Sequence, residues 1–111
     1  MKFVHITSLK DTASTLPPAV TRQLLEATVA WVNQRKQAGK LLEIYAMAGW
    51  RRTMAIYEAE SAEAVVQGVA ENPFGAFLTH EVYPLADFDE AMKANIESLK
   101  AAEKRFPSPT K

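Results

Sequence analysis

Residues 40–59, KLLEIYAMAGWRRTMAIYEA, decide how the chain folds. Leu41 to Met47 and Arg52 to Glu58 are rich in β-branched, aromatic and alternating residues, and the Gly49-Trp50 break supplies the freedom that a chain reversal needs. The stretch predicts a β-hairpin. With a period of two, Leu42, Ile44 and Ala46 share one face of the first strand, while Leu41, Glu43, Tyr45 and Met47 share the other. Across the turn, Met54 and Ile56 oppose Thr53, Ala55 and Tyr57. One face is plainly apolar. The other mixes large apolar groups with Glu43, two tyrosines and a threonine, which suits a pocket wall or a subunit interface; a solvated sheet face is the plainer alternative.

Outward from the hairpin, Lys2 to Leu9 reads as a first strand with Val4 and Ile6 on one face and Phe3, His5 and Thr7 on the other. Pro17-Pro18 opens a long helix, because proline is preorganised for the first turn and loses no needed donor there. Val20, Leu24, Ala27 and Trp31 form its stripe, widened by Leu25, Val29 and Val32, until Gly39 ends it. Downstream, Ser61 is the expected N-cap of a short helix closed by Asn72-Pro73. Ala76 to Tyr83 is the expected fourth strand, with Leu78, His80 and Val82 on one face and Phe77, Thr79, Glu81 and Tyr83 on the other. Asp87 with Glu90 starts a last helix with an apolar seam at Phe88, Met92, Ile96 and Leu99, followed by a loose tail over 106–111.

This order, strand, helix, strand, strand, helix, strand and an extra helix, predicts an α+β fold: a ferredoxin-like four-stranded antiparallel sheet with two helices on one face. A core over 1–85, a C-terminal helix over 86–105 and the tail make one domain. The uncovered sheet face calls for a second copy, paired face to face about a twofold axis.

Composition narrows the function classes. The 111 residues are enough for one core. Thirteen basic and 13 acidic side chains balance to zero, so no nucleic acid or anionic membrane is expected as a partner. The absence of cysteine excludes disulfides, thiolate metal sites and thiol nucleophiles, and two distant histidines argue against structural zinc. No metal or cofactor is expected. No apolar run reaches the length of a membrane span and the start lacks the order of a signal peptide, so the expected location is cytoplasmic.

From Gly39 to Leu85, the run GKLLEIYAMAG, a strand ending IYEAES, a helix ending ENPF and a strand closing on HEVYPL resemble the muconolactone isomerase family of the dimeric α/β barrel superfamily. The landmarks are Ala48-Gly49, Tyr57-Glu58 with Ser61, and Pro73. The resemblance implies a barrel-like homodimer, open to further assembly, with a pocket between the helix-free sheet face and nearby loops. It also implies cofactor-free transfer of a proton that shifts a double bond in an unsaturated lactone acid. That chemistry needs a base, a donor for the enolate oxygen and a cation for the carboxylate. The chain departs from the family pattern at Ala27-Thr28-Val29-Ala30, where the isomerases carry charge, and at Val4-His5-Ile6, so their catalytic residues are not transferred to these positions.

Parity puts Glu43, Glu81 and His5 on the helix-free face of three strands, as candidates for acid/base roles or as interface residues. Tyr45 and Tyr57 are candidates to polarise a carbonyl. Trp50, Arg51 and Arg52 at the turn could grip an anionic ligand, with Phe77 and Thr79 as further substrate contacts. His80, on the opposite parity, reads as a satisfied core histidine, and Trp31 as packing. An isomerase is the leading expectation. A cofactor-free monooxygenase acting on a polycyclic phenol, or a non-catalytic binding or assembly protein of the same fold, are the alternatives.

Overall fold

The computed structural model describes residues 1–48 and 51–107. Four strands, β1 (Lys2–Leu9), β2 (Leu41–Ala46), β3 (Arg52–Glu58) and β4 (Leu78–Pro84), form one sheet in the order β2-β3-β1-β4. Every neighbouring pair is antiparallel. Helices α1 (Pro18–Gln37) and α2 (Ala62–Val69) cover one face, and α3 (Phe88–Arg105) follows β4. This is the ferredoxin-like α+β arrangement that the element order predicts.

Local signals explain the boundaries. Pro18 occupies the first turn of α1, and the helix ends where Gly39 adopts a φ of 74°. The Gly39 N–H then donates to the Lys36 carbonyl and the Lys40 N–H to that of Arg35, which satisfies two orphan carbonyls and turns the chain into β2. Ser61 caps α2 by accepting from the Ala64 N–H at 3.2 Å, and Asp87 caps α3 by accepting from the Glu90 N–H at 3.0 Å. Past α2, the Asn72 side-chain oxygen accepts from the Phe74 N–H at 2.9 Å and folds the chain into a 3-10 turn over Gly75–Phe77. That turn takes Ala76 and Phe77 out of β4, which begins at Leu78.

The faces differ from the expected parity. Tyr57, Ala55 and Thr53 stand opposite Phe3, His5 and Thr7, and this set faces the helices. The core is Phe3, Leu41, Ala55 and Tyr57 from the sheet with Val65 and Val69 from α2. In β2 an irregularity between Leu41 and Glu43 lets both Leu41 and Ile44 point inward, so Ile44 pairs with Ala55, and Glu43 and Tyr45 pair with Ile56 and Met54. The helix-free face is therefore Val4, Ile6, Glu43, Tyr45, Met54, Ile56 and Glu81. Hairpin register is the reason: a one-residue slip exchanges the two faces of a strand, and each face of β1 and β3 carries enough apolar surface to fit either way.

Candidate functional site

Helix α1 does not seal onto the sheet. Its inward row, Thr21, Leu24, Thr28, Trp31 and Val32, is only half-buried, and beneath it lies a cavity of about 320 Å³ floored by β1, β2 and β3. The pocket thus sits between helix and sheet, not on the helix-free face where parity placed it. Apolar groups such as Leu25, Ile44, Ala55 and Phe74 make up most of its wall, and His5, Thr7, Thr53, Tyr57, Asn72 and the indole of Trp31 bring polar atoms to it. A largely apolar pocket with few convergent polar groups is the usual form of a small-molecule site.

His5 is the central group. It is 3% exposed, and its Nε2 lies 2.8 Å from Nδ1 of His80. His80 Nε2 is 3.1 Å from the Gly75 carbonyl oxygen, which can only accept, so that nitrogen carries the proton. With both rings neutral, His80 Nδ1 must then accept, and His5 Nε2 must donate. The tautomer of His5 follows: its lone pair is on Nδ1, which makes no hydrogen bond among the described residues. Burial, with the nearby His80 adding to it, lowers the His5 pKa from 6.5 to about 4, so the ring is neutral at neutral pH and keeps its Nδ1 lone pair.

Around His5 the floor is hydroxylic. Thr7 and Thr53 hydrogen-bond to each other, and Tyr57 stands with its ring centroid 5.7 Å from that of His5. Burial pushes the Tyr57 phenol up to about 12, against the opposing pull of Arg35, so it stays a donor. On the roof, Thr28 donates to the Leu24 carbonyl at 2.8 Å and sits 3.3 Å from the Asn72 side-chain oxygen. Trp31 Nε1 is buried with no partner among the described residues, while Arg35 lies 5.1 Å from the Trp31 ring centre and is held by Gly68 and Glu71. An unpaired buried N–H is a donor in want of an acceptor. Arg51 lines the cavity and supplies positive charge for an anionic ligand, whereas the Arg52 side chain turns to the helix-free face, where its Nε donates to Ser8 Oγ at 3.1 Å.

Of the sequence candidates, the structure gathers His5, Tyr57 and Arg51 at the cavity, with Arg52 at its edge and its side chain on the helix-free face. His5 does so from the helix-covered face, a correction of the expected parity. Glu43, Glu81 and Tyr45 lie exposed on the other face of the sheet and do not reach it. Thr79 donates to the Ser8 carbonyl from the surface, and Phe77 packs against Phe74 in the 3-10 turn, so neither lines the cavity. His80 is on the expected helix side, yet it is an exposed residue bonded to His5 and not an enclosed core histidine. Trp50 lies outside the described residues. Thr7, Thr28, Thr53, Asn72 and Trp31 are the residues that sequence reasoning missed. Thr21, Thr28 and Trp31 at helical spacing on an otherwise apolar stripe were the available sign.

Among the described residues there is no group of three or more His, Cys, Asp or Glu that could hold a metal ion, and no helix long and apolar enough to cross a membrane. No curated protein matches the chain. Among solved structures, a muconolactone isomerase superposes with a TM-score of 0.67 at 21% identity, covering 78% of this chain and 90% of that one. The 5-chloro-2-hydroxyhydroquinone dehydrochlorinase of Burkholderia phenoliruptrix AC1100, in complex with 2,5-dihydroxybenzoquinone, superposes with a TM-score of 0.61 at 19% identity, covering 81% and 98%. Both show the same fold. The sequence profile of muconolactone delta-isomerase matches residues 1–91, and the chain belongs to that family.

Proposed function

We propose that this protein is a small cofactor-independent isomerase that shifts a double bond in an unsaturated lactone or related cyclic acid by proton transfer in the cavity beneath α1. The observation that carries the reading is a neutral histidine with an uncommitted nitrogen in the wall of a largely apolar pocket. His5 Nδ1 takes the proton from an acidic ring carbon and returns it to another carbon of the same conjugated system, so no redox partner is required. Charge builds on the lactone oxygen as the proton leaves, and a nearby N–H or O–H donor, from the indole of Trp31 or the phenol of Tyr57, stabilises it. Arg51 holds the carboxylate. Pairing of two copies through the helix-free sheet face belongs to the same reading, as does a role in aromatic catabolism or secondary metabolism.

Incubation with muconolactones and related unsaturated lactone acids, followed by proton NMR in D2O, tests the reading. Conversion with a displaced double bond is expected, falling by a factor of about 10²–10⁴ in His5→Gln, the usual contribution of a positioned acid/base group. Oxygen uptake with a phenol in place of isomerisation would move the activity to a monooxygenase. A panel left unchanged, with no solvent deuterium in any member, would remove the isomerase.

A further inference from the structure

We propose that His5 and His80 form a two-ring proton relay between the cavity and solvent, in which His80 positions the His5 proton and exchanges it with water. The inference rests on the acid/base reading of His5 and names the route its proton takes.

The geometry is that of a wire. The two ring planes are 10° from parallel and their centroids are 5.1 Å apart. That separation is the 2.8 Å N···N distance plus the two ring radii, so the rings meet edge to edge and the bond lies along the lone-pair direction of each nitrogen. His5 lines the cavity, while exposed His80 borders a separate surface groove with Val66, Val69 and Gly75. The pair is therefore the wall between the two. Around it, α1 offers Thr21, Thr28, Trp31 and Val32 and α2 offers Val66 and Val69, all uncharged; the ionisable neighbours in the cavity are Tyr57, Arg51 and Arg52.

A relay answers a difficulty in using His5 alone. An imidazolium confined to His5 would be a cation in an apolar pocket, and the lowered pKa of His5 measures how unfavourable the burial is. When a carbon acid gives its proton to His5 Nδ1, the Nε2 proton crosses to His80 Nδ1. His5 is left neutral with its proton on Nδ1, and the charge appears on exposed His80. The count closes: one proton enters at the cavity, one charge arises at the surface, and no electrons or co-reactant are needed. Should His80 then lose its Nε2 proton to water, a bare Nε2 would face the Gly75 carbonyl, acceptor against acceptor. Gly75 thus favours reprotonation of His80 from water, return of a proton to His5 Nε2 and delivery of the Nδ1 proton to the product carbon.

Nitrogen-15 NMR of the whole, histidine-labelled protein tests the wire without a substrate. At neutral pH both rings should show the Nε2–H form, with a coupling across the bond between His5 Nε2 and His80 Nδ1. On acidification, His5 should switch from the Nε2–H to the Nδ1–H form as the pair takes up its first proton. No coupling, or a first proton taken up with His5 still in the Nε2–H form, would overturn the relay. With muconolactone as probe, His80→Gln, which can accept the His5 N–H but cannot pass a proton on, should lose at least tenfold in kcat with KM little changed. Equal kcat in both proteins would sink the relay and leave the isomerase standing. If wild type leaves muconolactone untouched, the substrate reading fails and the NMR experiment still decides the wire.

Discussion

Thr7 and Thr53 face each other across the central strands β1 and β3, hydroxyl to hydroxyl, on the floor of the cavity. Thr7 is 4% exposed, so its hydroxyl has little access to water. Thr53→Val keeps the shape and removes the partner, leaving a buried polar group unsatisfied at a cost of about 1–3 kcal/mol. Replacing both by valine removes both polar groups and should recover much of that loss. Urea unfolding of the two single variants and the double variant measures this as a coupling between the sites. Strictly additive losses would show that the hydroxyls do not depend on each other.

Stability should depend on pH through His5 and Tyr57. The His5 pKa is lowered from 6.5 unfolded to about 4 folded, so between these values the unfolded chain binds more protons than the native one. Stability is then full above pH 6.5 and declines as pH falls towards 4, by up to about 3 kcal/mol, flattening below that. Tyr57 acts at the other end. Its pKa rises from 10.0 to about 12, so the native state keeps a proton the unfolded state loses, and stability falls as pH climbs from 10 to 12. Urea midpoints across pH test both limbs: His5→Gln should flatten the acid limb alone and Tyr57→Phe the alkaline limb alone.

Trp31→Phe separates the two uses of the indole. The aromatic face that Arg35 approaches is retained, while the unpartnered Nε1–H is lost. Stability should change by less than about 1 kcal/mol, because deletion of an unsatisfied buried donor offsets the smaller ring. Binding of an unsaturated lactone acid, followed by calorimetry, should weaken about tenfold, the equivalent of one hydrogen bond to the ligand. Unchanged affinity would mean that the indole only closes the roof.

The fold was legible because its signals are local and redundant. Pro17-Pro18, Gly39, Ser61, Asn72-Pro73 and Asp87 each fix a boundary by their own backbone chemistry, and the structure uses all of them. The site was legible only in part. The distribution of residues between sheet faces depends on hairpin register, which the irregularity after Leu41 shifts, and periodicity cannot reveal an irregularity of that kind. His5, on the regularly paired β1, was selected as chemistry-bearing and placed on the wrong side because both faces of that strand carry apolar groups and parity alone does not say which one meets the helices. Its tie to His80, 75 positions away, comes from the β1–β4 register and the 3-10 turn that sets the start of β4. The cavity itself depends on how far α1 stands from the sheet. No single residue encodes that distance; the threonines on the inward row of α1 only leave room for it.

The helix-free sheet face yields the last prediction. Val4, Ile6, Met54 and Ile56 lie at its centre, with Tyr45 53% and Tyr83 51% exposed towards its edges, and α3 adds an exposed seam of Phe88, Met92, Ile96 and Leu99. Exposed apolar surface of this kind on a small chain is the usual sign of an interface, and face-to-face pairing of two copies, as proposed above, is the expectation it supports. Wild type should sediment as a dimer or larger assembly at micromolar concentration. Ile56→Lys puts a charge at the centre of the face, between Val4 and Glu43 on the neighbouring strands, and should give a monomer with an unchanged circular dichroism spectrum. Deletion of residues 87–111 should leave the sheet folded and test the seam separately. If the deletion alone dissociates the assembly while Ile56→Lys leaves it intact, α3 holds the copies together and the sheet face is not the contact.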